Sequence, residues 1–409
     1  MHDKLTIQDV DVAGKKVFVR VDFNVPMDAS GNITDDSRIR AVLPTINHLL
    51  DEGAAIILAS HMGRPNGEAK PEFSLSPIAK RLQRLLQKDI LFANDCIGDE
   101  VDKLKADLQP EEILLLENLR YHKEEKNNDE GFAKELAKHI DVYVDDAFAT
   151  AHRAHASIDA ITNFVNGADG EHCAAGFLMK DELEYFHRSM EDPKRPFVAI
   201  IGGAKVSSKM GVLQNLVKRV DKLIIGGGMA FTFLKTLMHD IGKSIVEEDM
   251  LDTAYEIIKY AKENGVKLYL PVDCVIADKF AEDAETKVTT VQEIPENWQA
   301  LDIGPATTML FTEAIQNAKT IIWNGPMGVF EMDAFSRGTY AMVSAVAASY
   351  SLTIVGGGDT DVAIHKAGET NKFSYISTGG GAFLELLEGK VLPGIAALSD
   401  KPKEELAYA

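Results

Sequence analysis

The chain has 409 residues, too many for a single hydrophobic core, so two domains are the first expectation. Its net charge of -20 argues against nucleic acid or an anionic membrane as the main partner, because either would need a broad basic surface. Three scattered cysteines without a Cys-x-x-Cys pair suggest neither a disulfide framework nor a zinc site, and they predict a reducing, cytoplasmic location. We also find no apolar run of membrane-spanning length and no signal peptide.

The first predicted strand covers residues 17–25 and alternates apolar and polar side chains. Its polar side chains are Arg20, Asp22 and Asn24. Polar groups near the end of a core strand lie at the carboxyl edge of the sheet, where α/β proteins bind ligands. A half-exposed edge strand is the alternative for this stretch alone. A helical pattern that begins near Arg38 follows.

The same design recurs in three apolar strands at residues 54–59, 113–116 and 141–144, each followed by cationic side chains. Helical patterns separate the strands, which predicts a parallel sheet with right-handed crossovers and with all strand ends at one edge. The residues that follow these strands include His61, Arg64, Arg120 and Arg153. Any one of these arginines could form a surface ion pair. Together they predict a site for a small polyanion, because guanidinium groups bind carboxylate and phosphate in a bidentate way.

The pattern changes between residues 166 and 195. Residues 167–173 are typical of a loop, and residues 177–190 have helical spacing that ends at two prolines. We interpret this segment as an interdomain helix.

The second half keeps the alternation of strands and helices but places glycine and lysine at the strand ends. Predicted strands cover residues 197–201, 222–225, 267–270 and 320–323. Glycine allows a base and a pyrophosphate to approach the backbone closely, and Lys205 and Lys209 offer point charges to phosphate. This half is therefore predicted to bind a nucleotide.

Two glycine runs near the C-terminus predict a phosphate site. One strand ends in Gly356-Gly357-Gly358-Asp359-Thr360, and the next ends in Gly379-Gly380-Gly381 before a helical pattern. Free backbone N–H groups and helix N-termini favour an anion, and an Asp can hold its metal ion. Tight turns are the alternative. Residues 242–244 resemble a P-loop but lack its first glycine and its strand, and the absence of G-x-G-x-x-G leaves a dinucleotide dehydrogenase poorly supported.

In order along the chain, these pieces resemble the phosphoglycerate kinase family nearly from end to end. The matching segments are residues 19–26, 60–65, 117–120, 146–148, 151–157, 202–207, 323–331, 356–360 and 378–381. Phe383 departs from the Ser of many members, and Ala149 departs from a common Gly. The first departure puts only a side-chain hydroxyl contact in doubt.

The resemblance implies an α/β fold with two doubly wound, parallel-sheet (Rossmann-like) domains joined by a hinge helix. Residues 1–172 would bind phosphoglycerate, and a C-terminal tail at 392–409 would pack back on them. Residues 173–192 would form the interdomain helix, and residues 193–391 would bind the nucleotide. Because the substrates would bind to different domains, we expect domain closure about the helix.

The resemblance also implies a role for each matching residue. The substrate site would comprise Asp22, Asn24, Arg38, His61, Arg64, Arg120 and Arg153. The nucleotide site would comprise Gly203, Lys209, Gly227, Asn324, Pro326, Glu331, Gly358, Asp359 and Thr360. The catalytic groups would be Arg38, Lys205 and Gly380, and Asp359 would bind Mg²⁺.

The implied reaction is reversible phosphoryl transfer from 1,3-bisphosphoglycerate to MgADP, giving 3-phosphoglycerate and ATP. We expect a monomer whose partners are these small molecules. Two alternatives are another ATP-dependent acyl-phosphate kinase and a non-catalytic protein that binds a phosphometabolite. The first would not need the arginines of the first half, and the second would not need Lys205, Asp359 and Glu331. The sequence contains both sets of residues.

Overall fold

The computed structural model describes residues 4–165 and 172–402. Residues 4–165, 172–184 and 391–402 belong to one compact unit, and residues 185–390 form a second. The division falls within the helix Phe177–Phe186, which lies inside the segment interpreted as an interdomain helix. Of the loop expected at 167–173, Cys173 lies in a strand and residues 166–171 are outside the described residues. No helix among the described residues is both long and apolar enough to span a membrane.

The first unit is built on a six-stranded sheet in the order β3-β4-β2-β1-β5-β6. All its strand pairs are parallel, as predicted. The strands are β1 (Lys16–Val21), β2 (Ala55–Ala59), β3 (Ile90–Phe92), β4 (Ile113–Leu115), β5 (Val142–Asp146) and β6 (Cys173–Ala175). The sequence analysis missed β3 and β6, which have three residues each.

Strand β1 lies between β2 and β5, so the edge-strand alternative is excluded. It ends at Val21, four residues before the predicted end, although Phe23 and Val25 are still buried. Of the residues predicted on the polar face, Arg20 is fully buried and Asp22 is buried, whereas Asn24 is half-buried. The helices of this unit are α1 (Ser37–Ala41), α2 (Leu43–Asp51), α3 (Ser76–Leu86), α4 (Asp99–Asp107), α5 (Lys123–Lys126), α6 (Glu130–Leu136) and α7 (Phe177–Phe186). A π-helical turn, His187–Glu191, continues α7.

The second unit contains another parallel sheet of six strands, in the order β15-β14-β13-β7-β8-β9. Its strands are β7 (Phe197–Ile201), β8 (Lys222–Ile225), β9 (Lys267–Tyr269), β13 (Thr320–Asn324), β14 (Leu352–Gly356) and β15 (Tyr375–Ile376). A separate antiparallel sheet, in the order β11-β10-β12, was not predicted. It comprises β10 (Asp273–Ala277), β11 (Thr286–Thr290) and β12 (Gln299–Ile303).

The helices of the second unit flank its parallel sheet. They are α8 (Met210–Leu216), α9 (Ala230–Thr236), α10 (Leu251–Glu263), α11 (Pro305–Ile315), α12 (Arg337–Ala347), α13 (Gly358–Lys366) and α14 (Gly380–Leu387). The core between sheet and helices contains the fully buried Trp323, Phe311 and Met342. The P-loop-like residues 242–244 are preceded by the helix α9 and not by a strand, as the sequence analysis expected when it rejected a P-loop there.

The C-terminal segment returns to the first unit. It contains the short helix α15 (Pro393–Ala396), and the N–H of Gly394 donates to the carbonyl of Ala151 at 2.8 Å. Ser399 joins the backbones of Leu5 and Cys173, accepting from the first at 2.8 Å and donating to the second at 2.9 Å. These backbone bonds hold the described part of the tail against β6.

A buried carboxylate caps the start of α11. Asp273 Oδ1 accepts from the backbone N–H of Thr307 and from its hydroxyl, both at 2.7 Å. Its Oδ2 accepts from the N–H of Ala306 at 3.0 Å. Asp273 thus satisfies N–H groups that the first turn of a helix leaves without partners.

We predict that Asp273→Ala lowers the free energy of unfolding by about 3 kcal/mol, because it removes the cap and leaves buried donors unpaired. The measurement is denaturant unfolding followed by circular dichroism. The matched control is Asp283→Ala in the same unit, since that carboxylate is fully exposed and its removal should leave stability near the wild-type value. Equal effects of the two substitutions would show that the cap does not stabilise the helix.

Candidate active site

The functional side chains of the first unit follow its parallel strands at their carboxyl edge. Asp22 follows β1 directly, and His61 follows β2 after one serine. Adjacent parallel strands end at the same edge, so their loops meet there. The contacts described next show which side chains the fold brings together.

Asp22 and Asn24 orient the cationic groups around them. Arg38 Nη1 donates to Asp22 Oδ2 at 2.5 Å, and the side chain of Arg38 remains 41% exposed. The other oxygen of Asp22 accepts from the backbone N–H of Asn24 at 3.1 Å. Asn24 Oδ1 in turn accepts from the N–H of Gly63 at 2.9 Å, which fixes the loop after β2. Arg38 therefore has both an anchor and access to solvent.

Arg120 lies in the same loop cluster and is largely buried. Its Nη1 donates to the carbonyl of Gly63 at 2.8 Å, while its Nε has no hydrogen-bond partner among the described residues. Burial lowers its pKa to about 10, and the neighbouring Arg20 and Arg153 add to this shift. A buried guanidinium with an unpaired donor and cationic neighbours favours an anionic ligand. Arg64 and Arg153 are exposed, and no described contact joins Arg64 to the cluster.

The sequence analysis did not assign Arg20 to the site, yet Arg20 links its parts. Its Nε donates to Ser157 Oγ at 2.9 Å, and its Nη2 lies 3.3 Å from His61 Nδ1. Ser157 Oγ donates to the buried Glu125 at 2.6 Å. The alternation in β1 had placed Arg20 on the polar face. Its contacts are with residues from distant parts of the chain, which the alternation could not predict.

Two buried histidines in the cluster are neutral. Burial lowers the pKa of His61 well below its ordinary value, and Arg20 and Arg120 lower it further. Burial and the same two arginines lower the pKa of His155 to about 3. The positive charge of this edge therefore comes from arginine, and both imidazoles can offer a neutral N–H. His155 lies in the matching segment 151–157, but the sequence analysis did not assign it to the site.

In the second unit, glycine turns at the strand ends pack backbone against backbone. The N–H of Gly203 donates to the carbonyl of Pro326 at 3.0 Å, which joins the turns after β7 and β13. Gly227 has a φ of +67°, and a Cβ there would lie 2.6 Å from the backbone nitrogen and oxygen of Gly203. Only glycine fits at this point, because any side chain would separate the two turns.

These turns form one wall of a cavity of about 450 Å³, a size typical of small-molecule sites. Of the residues assigned to the nucleotide site, the cavity is lined by Gly203, Gly227, Pro326, Glu331 and Asp359. The apolar part of the lining was missed, and it includes Phe231, Ile245, Phe280, Leu301, Met327 and Val329. Leu301 comes from the antiparallel sheet, so sequence periodicity alone could not have placed it here.

Lys209, Asn324 and Thr360 hold the turns together through backbone groups. Lys209 Nζ donates to the carbonyls of Gly202 at 2.6 Å and Asn324 at 3.1 Å, and burial lowers its pKa to about 8. Asn324 Nδ2 donates to the carbonyl of Gly356 at 2.6 Å. Thr360 Oγ1 accepts from the N–H of Gly325 at 2.8 Å and is fully buried. In this structure the three side chains are therefore structural links beside the cavity.

The two glycine runs become the N-termini of α13 and α14. Their strands, β14 and β15, are neighbours in the sheet. A Cβ on Gly380 would lie 3.8 Å from the Cα of Gly357, so the two helix starts are in contact. Unpaired N–H groups and two positive dipole ends then lie together, which favours phosphate. Phe383 is buried under Gly356, so its position is explained by packing.

Exposed charged residues complete this edge. Asp359 lies in the first turn of α13 with its side chain exposed, and Lys205 is exposed in the turn after β7. An accessible carboxylate next to a phosphate site fits Mg²⁺, which prefers oxygen ligands and takes most of them from water and phosphate. Among the described residues, no group of three metal-ligating side chains includes Asp359.

Comparison with known proteins identifies the family. A model of the phosphoglycerate kinase family matches residues 7–390. Phosphoglycerate kinase of Geobacter metallireducens is 66% identical over 390 residues, which cover 95% of this chain and 97% of that protein. The enzyme of Geotalea uraniireducens is 65% identical, with coverage of 95% and 96%.

A solved structure, phosphoglycerate kinase from Coxiella burnetii, is 42% identical and covers 96% of this chain and 98% of that chain, with a TM-score of 0.89. Phosphoglycerate kinase from Pyrococcus horikoshii OT3 is 31% identical with the same coverage and a TM-score of 0.80. The chain belongs to the phosphoglycerate kinase family.

Proposed function

We propose that this chain catalyses reversible phosphoryl transfer between 1,3-bisphosphoglycerate and MgADP, giving 3-phosphoglycerate and ATP. The main structural support is that one chain combines an arginine-rich strand edge with a glycine-walled cavity of about 450 Å³. Family membership supports the same reaction. Because a phosphoryl group moves between a carboxyl group and a nucleotide, the enzyme is a phosphotransferase.

The arginine-rich edge of the first unit binds the phosphoglycerate substrate. The residues proposed to form this substrate site are Asp22, Asn24, Arg38, His61, Arg64, Arg120 and Arg153. The unpaired Nε of Arg120 and the neutral imidazole of His61 supply N–H donors. Asp22 acts on the substrate through Arg38, since it holds that guanidinium at 2.5 Å.

The cavity of the second unit binds the nucleotide. Its glycine and proline walls at Gly203, Gly227 and Pro326 accept the flat base, and Glu331 accepts hydrogen bonds from the ribose hydroxyls. The residues proposed to serve the phosphate chain are Lys209, Asn324, Gly358, Asp359 and Thr360. Of these, Gly358 offers its backbone at the start of α13, while Lys209, Asn324 and Thr360 also hold the surrounding turns in place.

Transfer needs charge stabilisation and positioning more than proton transfer. In the direction of ATP consumption the acceptor is a carboxylate, which is ionised at neutral pH, so no general base is required. Arg38 and Lys205 stabilise the charge of the moving phosphoryl group, and the backbone N–H of Gly380 at the start of α14 donates to its oxygens. These groups match a transition state whose charge is spread over oxygen atoms.

Asp359 would hold Mg²⁺ beside the nucleotide phosphates. When bound, Mg²⁺ would supply positive charge that offsets the negative charge of the phosphates. The carboxylate of Asp359 is exposed and lines the cavity, so it can reach a bound metal without rearrangement of the core.

The test of the reaction is ATP formation from ADP and enzymatically generated 1,3-bisphosphoglycerate, with and without Mg²⁺. We expect ATP only when Mg²⁺ is present. Folded protein that binds both ligands and forms no ATP would favour a non-catalytic binding protein. ATP formation from another acyl phosphate at a higher kcat/KM would favour a different acyl-phosphate kinase.

We also propose that the enzyme acts as a monomer in the cytoplasm, on the basis of its family and its sparse cysteines. Sedimentation equilibrium of the purified chain tests the oligomeric state, and a mass of about twice 44.8 kDa would contradict it.

We predict that Arg38→Ala lowers kcat by at least about 100-fold, equivalent to about 3 kcal/mol, because it removes a charge that acts in the transition state. The matched control is Arg40→Ala, since Arg40 lies on the same helix, is exposed and pairs with Asp36 at 2.9 Å. The control should keep wild-type kcat. A kcat for Arg38→Ala within a few-fold of wild type would remove Arg38 from the catalytic groups.

We predict that Gly227→Ala raises the KM for ADP by at least about tenfold, because a Cβ would separate two walls of the cavity. The KM for the phosphoglycerate substrate should not change. Gly265→Ala is the matched control: its φ is +71° and nothing lies within 4 Å of the added Cβ, so it tests backbone strain alone. If both substitutions change the KM for ADP equally, the cavity is not the nucleotide site.

A further inference from the structure

A cluster of metal-ligating side chains in the first unit has no role in the proposed reaction. Asp95, Cys96 and His122 each offer one ligand atom, and these atoms lie within 4.8 Å of one another. No other such group of three occurs among residues 4–165 and 172–402. The first two residues lie in the loop after β3, and the third lies just after the 3-10 helix Leu119–Tyr121.

The Asp95 carboxylate is the centre of this cluster. Its Oδ1 lies 2.7 Å from His122 Nε2 and accepts from the backbone N–H of Cys96 at 2.6 Å. The sulfur of Cys96 lies within 4.8 Å of the ligand atoms of both Asp95 and His122. Imidazole, thiol and carboxylate therefore already converge on one point, so a metal ion there would need only small shifts of the three side chains.

The surroundings hold the ligands in place. The N–H of Glu117 donates to the carbonyl of Asp95 at 3.3 Å, and the N–H of Ala93 donates to the carbonyl of Leu115 at 3.0 Å, which fixes the loop to β4. The ring of Phe132 lies 5.2 Å from the His122 ring and limits its orientation. Cys96 is fully buried, whereas the side chains of Asp95 and His122 are 50% and 24% exposed. A metal ion could therefore enter from the solvent side, between these two.

We propose that Asp95, Cys96 and His122 form a Zn²⁺ site, with solvent completing the coordination. The chemistry of the donors selects the metal: thiolate and imidazole suit Zn²⁺ and Co²⁺, whereas Mg²⁺ requires oxygen ligands. Three protein ligands leave one position of the tetrahedral zinc ion open to solvent, whereas structural zinc sites fill all four positions with protein ligands. On binding, the Cys96 thiol proton leaves to solvent and the sulfur takes its place on the metal.

The site would fix the segment that carries Arg120. His122 lies two residues after that arginine, so bound zinc would tie the loop after β4 to the loop after β3. We therefore expect Zn²⁺ to raise the unfolding temperature, since a ligand that binds only the folded state stabilises it.

The test uses Co²⁺ as a spectroscopic probe on the purified full-length chain without nucleotide. We expect thiolate-to-cobalt charge transfer in the near-ultraviolet, lost when Zn²⁺ is added in equimolar amount. His122→Gln should weaken Zn²⁺ binding by at least about tenfold, since even the loss of groups outside the ligand shell has that effect. His122 is partly exposed, so this substitution should not prevent folding, and activity measured without zinc confirms the fold.

Cys96→Ala should abolish the charge-transfer band, and Cys173→Ala is its matched control. Cys173 is also buried in the first unit, but its thiol contacts the carbonyl of Thr162 at 3.9 Å and no other metal-ligating side chain joins it in a group of three among the described residues. The proposal is overturned if the folded wild type shows no thiolate-to-cobalt band, or if Cys96→Ala and His122→Gln both bind as the wild type does. Neither outcome would affect the proposed phosphoryl transfer, which is assayed separately.

Discussion

The parallel pairing of strands is the constraint on which both units depend. In each six-stranded sheet every strand pair is parallel, so every strand ends at the same edge and every following turn opens there. A parallel sheet buries both faces of its inner strands, which leaves that edge as the place where polar side chains can meet a ligand. The first unit places arginine there, and the second places glycine.

The two edges offer different groups to a negatively charged ligand. In the first unit, Ser157 Oγ and a backbone carbonyl accept hydrogen bonds from the buried Arg20, and the carbonyl of Gly63 accepts from Arg120. Ser157 in turn donates to Glu125. Such burial is costly unless the cations are paired, so an anionic ligand bound at this edge would complete a neutralisation that the protein leaves partial. In the second unit the donors are backbone N–H groups at helix N-termini, and Lys209 is engaged with carbonyls of the turns. Glycine allows those turns to approach each other and a ligand.

Two residues assigned to the sites from sequence make hydrogen bonds to neighbouring residues of the protein. Asp22 holds Arg38, and Thr360 holds Gly325. Both residues lie next to a proposed ligand position, but their hydrogen bonds hold neighbouring residues in place. A sequence motif therefore indicates where a site lies. The hydrogen bonds in the structure indicate which residues of the motif remain available to a ligand. Arg38 and Arg20 differ in the same way: the side chain of Arg38 is 41% exposed, whereas Arg20 is fully buried.

The sequence by itself determined which strand ends are followed by polar or glycine-rich turns. It also determined the contrast between arginine in one half and glycine in the other, and the paired glycine runs. These features are local, and period-two alternation or an apolar run followed by a turn is enough to find them. Tertiary structure decided the rest, because the partners are far apart in the chain. Arg20 meets Ser157 across 137 residues, the cavity needs Leu301 from an unpredicted sheet, and His122 reaches Asp95 across 27 residues. Contacts between segments separated by whole strands and helices leave no local periodicity, so only the packed fold could reveal them.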